Sequence, residues 1–407
     1  MKMKKLIFII FGLVILGSIA YVVLDNPELR YFAGKISGIK DMPILTDDNF
    51  IIEEVVVGIN SSTALTFIND DILFLEKETG KIRHIKNDVL VEKPLWDFNV
   101  KKEGCECYTE SGLLGITVFN SDVYVYVTEE FGDEEKIYEN RIYKFLWENN
   151  QLVNPVLLNI LPADSNMHHG GAMTVNSDGH VLAVIGDQEY GKKLGNFKNG
   201  DMDDVGVILN VGIDENVKTP SSSSIPSDHY YGVGLRNSFG LSFDPITNYL
   251  WISENGTFEF DEINLALPKY NSGWPQFLGP QDKNTINEFN GYSDYVYSNP
   301  EFSWEKTVAP TGLSFVDKNW KNYENSLFVG DCKGNLYKFQ LSEDRKSLIF
   351  QNPDLQDLVL NESDSNEEII FGKNFGCITD VEYFDGNLYV ISYLNNGAIY
   401  KIKPTQI

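Results

Sequence analysis

Short apolar or alternating runs, each bounded by small polar turns, fill the chain from about residue 45 onward. Alternation with a period of two predicts β-strands, and clusters of Gly, Asn, Asp and Ser predict the turns between them. One unit, a polar turn followed by a strand and often by a second turn and strand, recurs six times. Its copies begin at Ile68, Asn120, Ser177, Thr247, Glu324 and Asp385. No long amphipathic helix is evident between them.

The spacing of these copies predicts a β-propeller. They follow one another at about 50 to 80 residues, a range near that of propeller blades with inserted loops. Runs such as Leu-Tyr-Val-Ile at 388–391 are apolar on both faces, which is typical of strands buried between neighbouring sheets. A β-sandwich would need fewer strands, and a parallel sheet would need helices. The sequence therefore predicts an all-β fold, a six-bladed β-propeller spanning residues 45–407.

The N-terminal segment predicts a transmembrane anchor or a signal peptide. Three lysines among the first five residues precede an uncharged run, 6–24, that is just long enough to cross a bilayer as a helix. The basic residues before this run place the rest of the chain outside the cytoplasm. Residues 17–20 weakly resemble a cleavage region, so removal of the segment stays open. We expect residues 1–24 to form this helix and residues 25–44 to form a linker.

Composition narrows the partners and the compartment. The 407-residue chain has a formal net charge of −26, which would repel a phosphate backbone and argues against nucleic acid as a partner. Its four cysteines are Cys105, Cys107, Cys332 and Cys377. In an exported chain an even number predicts two disulfides, with three possible pairings. A site in which thiolates bind a soft metal is the alternative.

A series of motifs in a fixed order resembles a known family. The motifs are ESGLLGITVFNSDVYVYVT (110–128), HHGGAMTVNSDGHVLAVIGD (168–187), GLRNSFGLSFDPITNYLWISENG (234–256), DEINLALPKYNSGWP (261–275), APTGLSFV (309–316) and CITDVEYFDGNLYVIS (377–392). Together they resemble the soluble glucose/sorbosone dehydrogenase family, six-bladed propellers that use pyrroloquinoline quinone and calcium. The resemblance covers most of the chain after residue 100.

The resemblance implies that His168 is the catalytic base, which takes a hydroxyl proton from the sugar while hydride leaves for the quinone. Imidazole suits this task because it titrates near neutral pH. Gly170 and Gly171 would let the backbone pass close to a flat cofactor. Without the resemblance, both histidines would be assigned to an ordinary polar loop tip. We expect His169 to be structural.

The resemblance also implies that Arg236, Asn237 and Lys333 bind the cofactor. Arg236 and Asn237 lie between two glycines and precede an apolar strand. A guanidinium group matches the carboxylates that the quinone carries. Lys333 occupies the position of a family lysine in the turn GDCKGNLYKF. By residue type alone, these would be ordinary residues of surface turns.

Calcium is implied by the loop ENGTFEFDEIN at 254–264. In the family one ion is held by backbone carbonyls, here those of Gly256 and Thr257, and bridges to the cofactor. Asp261 and Glu262 would supply hard oxygen ligands to a second ion. Two acidic residues in a loop are more often simply solvated.

Three departures from the family pattern bear on the cofactor. The last motif of the family carries two arginines that hold cofactor carboxylates, and Cys377 and Thr379 stand at these positions here. Phe239 replaces a polar contact. Because a charge-assisted hydrogen bond contributes about 1.5–3 kcal/mol, loss of two would weaken binding by roughly a hundredfold or more.

We interpret the chain as an extracytoplasmic quinoprotein dehydrogenase, membrane-anchored through its N-terminal helix or secreted. It would oxidise an aldose or related alcohol with pyrroloquinoline quinone and calcium and pass electrons to an external acceptor. The alternative is a non-catalytic propeller of the same lineage that recognises a glycan or a protein. The missing arginines favour the alternative, and His168, Arg236 and Lys333 oppose it. A third hypothesis is a cysteine-ligated metal protein on the same scaffold.

Overall fold

Short strands joined by tight turns form almost all of the chain that the structure describes. The structure is a computed structural model and describes residues 42–59, 61–100, 109–132, 136–189, 204–212, 229–393 and 397–405. The predicted N-terminal helix, 1–24, and most of the predicted linker, 25–44, lie outside these ranges. Within them, no helix is long and apolar enough to cross a membrane.

The strands of the first half of the described chain carry the recurring hairpins. They are β1 (Ile44–Leu45), β2 (Phe50–Val57), β3 (Ser62–Ile68), β4 (Asp71–Glu76), β5 (Lys81–Lys86), β6 (Val89–Leu90), β7 (Trp96–Asp97), β8 (Leu113–Phe119), β9 (Asp122–Phe131), β10 (Ile137–Glu148), β11 (Gln151–Leu161), β12 (Met173–Val175), β13 (Val181–Ile185), β14 (Val207–Asn210) and β15 (Tyr230–Val233).

The second half continues in the same way, with one short helix and one 3-10 turn among the described residues. Its elements are β16 (Gly240–Phe243), β17 (Leu250–Glu254), β18 (Glu259–Ala266), β19 (Tyr270–Asn271), α1 (Lys283–Asn287), β20 (Val296–Tyr297), β21 (Phe302–Lys306), β22 (Pro310–Phe315), β23 (Ser326–Asp331), β24 (Leu336–Leu341), β25 (Leu348–Ile349), the 3-10 turn Pro353–Leu355, β26 (Val359–Leu360), β27 (Ile370–Lys373), β28 (Ile378–Phe384), β29 (Asn387–Ser392) and β30 (Ala398–Pro404).

These strands form six sheets within the described residues. We number the sheets 1 to 6 by their innermost strands, which are β3, β8, β12, β16, β22 and β28 in that order. Each innermost strand contacts the next one, and β28 contacts β3, so the sheets close into a ring. The predicted all-β propeller is therefore confirmed.

The ring is closed by the first long strand of the described chain. Strand β2 pairs antiparallel with β30 along the outer edge of sheet 6, from Phe50 opposite Pro404 to Val57 opposite Ala398. Strand β1 likewise pairs with β27 on the edge of sheet 5. Because the start and the end of the propeller share a sheet, backbone hydrogen bonds hold the ring together.

The core consists of six apolar clusters, each packed between two neighbouring sheets. The cluster between sheets 4 and 5, for example, contains the fully buried Trp251, Trp304 and Phe339. Second strands are covered on both faces, and every residue of β4, β13, β17 and β23 is buried. This arrangement explains why these strands read as continuous apolar runs rather than as alternating ones.

Candidate functional site

One end of the ring holds a cavity of about 350 Å³. This is within the range of roughly 300–1,000 Å³ typical of small-molecule sites. Its wall comes from the innermost strands and from two kinds of loop: those that precede the first strand of a sheet, and those that follow the second strand. Since adjacent strands run antiparallel, the second strand brings the chain back to the end at which the first strand began. Every sheet can therefore contribute side chains to the cavity from two loops.

His168 lies in this wall, in the loop that leads into β12. Its backbone N–H donates to Oε2 of Glu110 at 2.6 Å, and its carbonyl accepts from Nε2 of Gln188 at 2.9 Å. Its φ of 58° lies in the left-handed region, which a residue with a side chain rarely adopts. Such backbone persists only where the surroundings hold it in place, and it is concentrated at functional sites.

The ring of His168 is oriented by Asp187, which follows the second strand of the same sheet. Nδ1 of His168 lies 2.5 Å from Oδ1 of Asp187, and the other carboxylate oxygen accepts from the indole N–H of Trp274 at 2.8 Å. Burial by itself would raise the pKa of Asp187, but its hydrogen bonds and the imidazole hold the pKa below its ordinary value. Asp187 is thus an anion that accepts the Nδ1 proton. Nε2 of His168 has no hydrogen-bond partner in the described part of the chain.

His169 differs sharply from its neighbour. It is fully buried, and its ring nitrogens lie 3.1 Å from Oδ1 of Asn140 and 2.9 Å from the carbonyl of Ser165. Its own carbonyl accepts from the hydroxyl of Tyr126. These contacts tie the loop to sheet 2, as expected of a structural residue.

A glycine lets the two loops of the site approach each other. A Cβ added at Gly186 would lie 2.5 Å from the carbonyl oxygen of His168 and 2.9 Å from that of Arg236. Real Cβ atoms essentially never approach other atoms so closely. Any side chain at Gly186 would therefore push the His168 loop away from the Arg236 loop.

The buried carboxyl group of Glu254 holds Arg236 and Asn237 in place, and burial raises its pKa to about 8. Oε1 of Glu254 accepts both of their backbone N–H groups at 2.7 Å. The Asn237 side chain lies 3.3 Å from Glu110, and its own Oδ1 is buried without a partner among the described residues. Oδ1 of Asn255, also in the cavity wall, is another such orphaned acceptor. A ligand that donates or bridges hydrogen bonds here would satisfy both.

The Arg236 guanidinium donates a hydrogen bond to the carbonyl of Gly256, one of the two carbonyls predicted to bind calcium. Its Nη1 donates to the carbonyl of Asn255 at 2.9 Å and to that of Gly256 at 2.6 Å. Thr257, the other predicted carbonyl donor, is exposed. In this arrangement the loop does not fit a calcium ion, because a guanidinium and a cation cannot share the Gly256 carbonyl.

Asp261 and Glu262 also have partners within the protein. Asp261 accepts the backbone N–H groups of Gly256, Val308 and Ala309, and Glu262 accepts those of Gly279 and the Asn264 side chain. Burial raises the pKa of Glu262 to about 7. The described residues contain no cluster of three or more His, Cys, Asp and Glu side chains able to hold a metal ion. In this structure the pair organises loops, and a second calcium ion stays a prediction.

Lys333 lies in the turn after β23, outside the cavity wall. Its side chain is exposed and donates to the carbonyl of Thr307. The adjacent Cys332 does line the cavity, and it forms a disulfide with Cys377. The disulfide rules out a thiolate metal site at these two positions. The other two cysteines, Cys105 and Cys107, lie outside the described residues, so the second predicted disulfide stays a prediction.

Two acidic side chains of β28, Asp380 and Glu382, line the cavity. Burial, and then the charge of Asp380, raise the pKa of Glu382 well above its ordinary value. Burial also raises the pKa of Asp380 to about 6, although its carboxylate accepts the N–H groups of Leu65 and Val381. Both groups are therefore more easily protonated in the folded protein than in the unfolded chain.

This pair predicts that the protein loses stability as the pH rises. The stability contributed by Glu382 is fully present below its unfolded pKa of about 4.5 and is lost as the pH rises through its higher folded pKa. We expect the free energy of unfolding of the parent to fall between about pH 5 and pH 8.5. In Glu382→Gln this fall should be smaller, by on the order of 1 kcal/mol or more. Urea unfolding at the two pH values measures this. Glu324→Gln, at an exposed position, is the control, and an identical fall in parent and Glu382→Gln would contradict the prediction.

Several residues of the site lie within the quoted motifs but are given no role by the sequence analysis. Glu110, Asp187 and Glu254 are examples, and each holds either His168 or Arg236 in place. Asp187 and Glu254 lie at or just after the end of a second strand. Polar residues at the ends of the apolar second strands were the available signal, since these ends face the cavity.

Comparison with known proteins places the chain in a family. The profile described as glucose/sorbosone dehydrogenase matches residues 59–401. Quinoprotein glucose dehydrogenase B of Acinetobacter calcoaceticus is 26% identical over 290 residues, which is 64% of this chain and 58% of that protein. The chain thus matches less than two thirds of the length of that relative.

Solved structures show the same fold. The soluble aldose sugar dehydrogenase of Escherichia coli in its apo form gives a TM-score of 0.66 at 18% identity, over 88% of this chain and 100% of that chain. The aldose sugar dehydrogenase of Streptomyces coelicolor bound to pyrroloquinoline quinone gives a TM-score of 0.61 at 19% identity, over 89% and 99%.

Proposed function

The chain belongs to the glucose/sorbosone dehydrogenase family, and we propose that it is a quinoprotein dehydrogenase that oxidises an aldose sugar or a related alcohol. The observation that supports this most directly is the pair formed by His168 and Asp187, which presents an imidazole nitrogen to a cavity of small-molecule size. The cavity wall thus combines a base, His168, with an orienting carboxylate, Asp187, and with the acceptors of Asn237 and Asn255, which lack a partner in the part of the chain that the structure describes. A purely structural loop tip would need none of these.

The proposed reaction assigns a distinct task to each residue. Nε2 of His168 takes the proton of the substrate hydroxyl, and Asp187 stabilises the imidazolium that forms and keeps the ring in one orientation. Pyrroloquinoline quinone, when bound, supplies the acceptor for the hydride that leaves the same carbon. Arg236 and Asn237 would hold the cofactor from the side of sheet 4, where Glu254 fixes their backbone.

The residues present fit the quinone in part. The cavity wall includes Arg236, whose guanidinium matches a carboxylate, and apolar side chains such as Leu114, Ala172 and Met173. Calcium fits only if Arg236 releases the Gly256 carbonyl, which would free its guanidinium for a cofactor carboxylate. We therefore propose calcium as a ligand of the cofactor-bound protein, with Lys333 as a contact only if its exposed side chain turns inward.

We further propose an extracytoplasmic location and an external electron acceptor. A disulfide persists in oxidising compartments and is rare in the cytosol, and the Cys332–Cys377 bond supports export. Attachment to a membrane through residues 1–24 belongs to the same proposal. A reduced cofactor must pass its electrons on before the next turnover, so an acceptor is required.

Quinone binding and dye-linked sugar oxidation by the purified protein test this function. We expect protein reconstituted with quinone and calcium to bind the quinone and to reduce an electron-accepting dye with an aldose. Chelator treatment is expected to weaken binding. Quinone binding that is equally tight with chelator would remove calcium from the proposal. Failure to bind the quinone, together with no activity on any aldose, would instead support the non-catalytic binding propeller.

A further inference from the structure

We propose that Lys77 binds a carboxylate of the quinone, on the wall of the cavity opposite Arg236. The proposal rests on the function proposed above and adds a contact that no motif identifies. Among the described residues that line the cavity, Lys77 and Arg236 are the lysine and arginine side chains. Lys77 follows β4 in sheet 1, and Arg236 precedes β16 in sheet 4. In a closed ring of six sheets these positions are three steps apart in either direction.

The position of Lys77 is fixed by its surroundings. A Cβ at Gly112 would lie 2.8 Å from Cγ of Lys77, so the lysine stem packs directly on that glycine. Its Nζ donates to the carbonyl of Thr109 at 2.9 Å and lies 5.6 Å from the centre of the Tyr393 ring. The residue is only 6% exposed. These contacts hold the ammonium group at the cavity wall, where it would lie beside the carboxylate of a bound anionic ligand.

Lys77 adjoins the part of the wall where the sequence lacks its expected arginines. The Tyr393 backbone N–H donates to the carbonyl of Cys377, and the ring of Tyr393 faces Lys77. Thr379 donates to the carbonyl of Ser62, next to the residue whose carbonyl accepts the Lys77 N–H. A disulfide and a hydroxyl carry no charge. In this patch Lys77 is the described cavity-wall residue that can neutralise a ligand carboxylate.

The chemistry of the ligand follows from this placement. Two cations on opposite walls suit a flat molecule with acidic groups at both of its edges. The chain as a whole is strongly acidic, with a formal net charge of −26, so long-range attraction does not favour such a ligand. Local charge must therefore retain it. The loss of arginine at the positions of Cys377 and Thr379 is then compensated from a different sheet.

The test compares pyrroloquinoline quinone with its trimethyl ester, which keeps the ring system and removes the carboxylate charges. Affinities of the purified protein for both are measured by calorimetric titration. We expect the parent to prefer the acid, and Lys77→Met to weaken binding of the acid about tenfold to a hundredfold while the ester binds as before. Lys77→Arg should keep most of the preference. Lys77→Gln replaces Lys77→Met if the methionine variant melts at a lower temperature than the parent.

Lys338→Met is the matched control. Lys338 is half-buried. Like Lys77, it donates to a backbone carbonyl, that of Glu368, and lies 5.8 Å from the centre of a tyrosine ring, but it does not line the cavity. Its replacement should leave the preference for the acid unchanged. If Lys77→Met weakened binding of acid and ester equally, or of neither, the role of Lys77 would be overturned while the proposed function would stand. A parent that binds neither compound would overturn the proposed function and this contact with it.

Discussion

Replacing His168 by alanine is expected to lower turnover by about a hundredfold or more, the usual contribution of a positioned general base. Nε2 of His168 is the ring nitrogen left without a partner in the described part of the chain, because Asp187 holds Nδ1. Without the imidazole, the hydroxyl proton has no acceptor as the hydride leaves. Affinity for the quinone should change little, since Arg236 and Asn237 are held by Glu254 independently of the His168 ring.

The measurement is dye-linked aldose oxidation by protein loaded with quinone and calcium, together with calorimetric quinone affinity. His180→Ala is the control, because His180 lies in the turn between β12 and β13 and does not line the cavity. His169 is unsuitable as a control, since its buried ring makes two hydrogen-bond contacts whose loss would destabilise the loop. Turnover of His168→Ala equal to that of the parent would remove the base assignment.

The fold was predictable because its signal repeats. The second strand of a sheet is covered by the neighbouring sheets on both faces, so strands such as β13 and β17 are continuous apolar runs. Six recurring units of this kind predict six sheets. The N-terminal strand β2 was harder to place. Its pairing with β30 joins residues far apart in sequence, and nothing in its composition indicates that partner.

The candidate site was predictable only in part, because the motifs do not show which of their polar side chains contact one another. The placement of His168 at a small-molecule cavity follows the family pattern, but its partner Asp187 is supplied from beyond a second strand. Asp261 shows the opposite difficulty. Sequence predicts a metal-ligating carboxylate in a loop, whereas the folded chain places Asp261 on β18 and surrounds it with three backbone N–H groups. Whether a metal ion or backbone N–H groups contact such a carboxylate depends on tertiary contacts, and the spacing of residues in the sequence does not show these.

Disulfide pairing shows the same limit. Four cysteines allow three pairings, and sequence alone does not choose among them. The folded chain chooses because the turn after β23 packs against the segment before β28. Gly334 carries part of this contact: its carbonyl accepts the Phe375 N–H, and a Cβ there would lie 2.9 Å from the Gly376 carbonyl oxygen. This contact brings Cys332 to Cys377 and joins sheet 5 to sheet 6 at the cavity.

Removing this bond with Cys332→Ser and Cys377→Ser together is expected to lower the free energy of unfolding by about 3–4 kcal/mol. The bond closes a loop across a sequence separation of 45 residues, and the loss reflects the larger freedom that the unfolded chain gains. Local backbone hydrogen bonds, such as that from Cys332 to Ala309 and that from Tyr393 to Cys377, remain available to the variant. The folded sheets should therefore keep their arrangement.

Equilibrium urea unfolding of parent and double variant measures the effect, and the variant should have a lower midpoint. Reductant added to the parent should move its midpoint towards that of the variant, whereas the variant isolates this bond from any effect of reductant on Cys105 and Cys107. A Glu343→Gln variant, changed at an exposed residue of the turn between β24 and β25 in sheet 5, controls for nonspecific effects of substitution. A double variant as stable as the parent would show that contacts between sheets 5 and 6 hold this corner of the cavity without a covalent link.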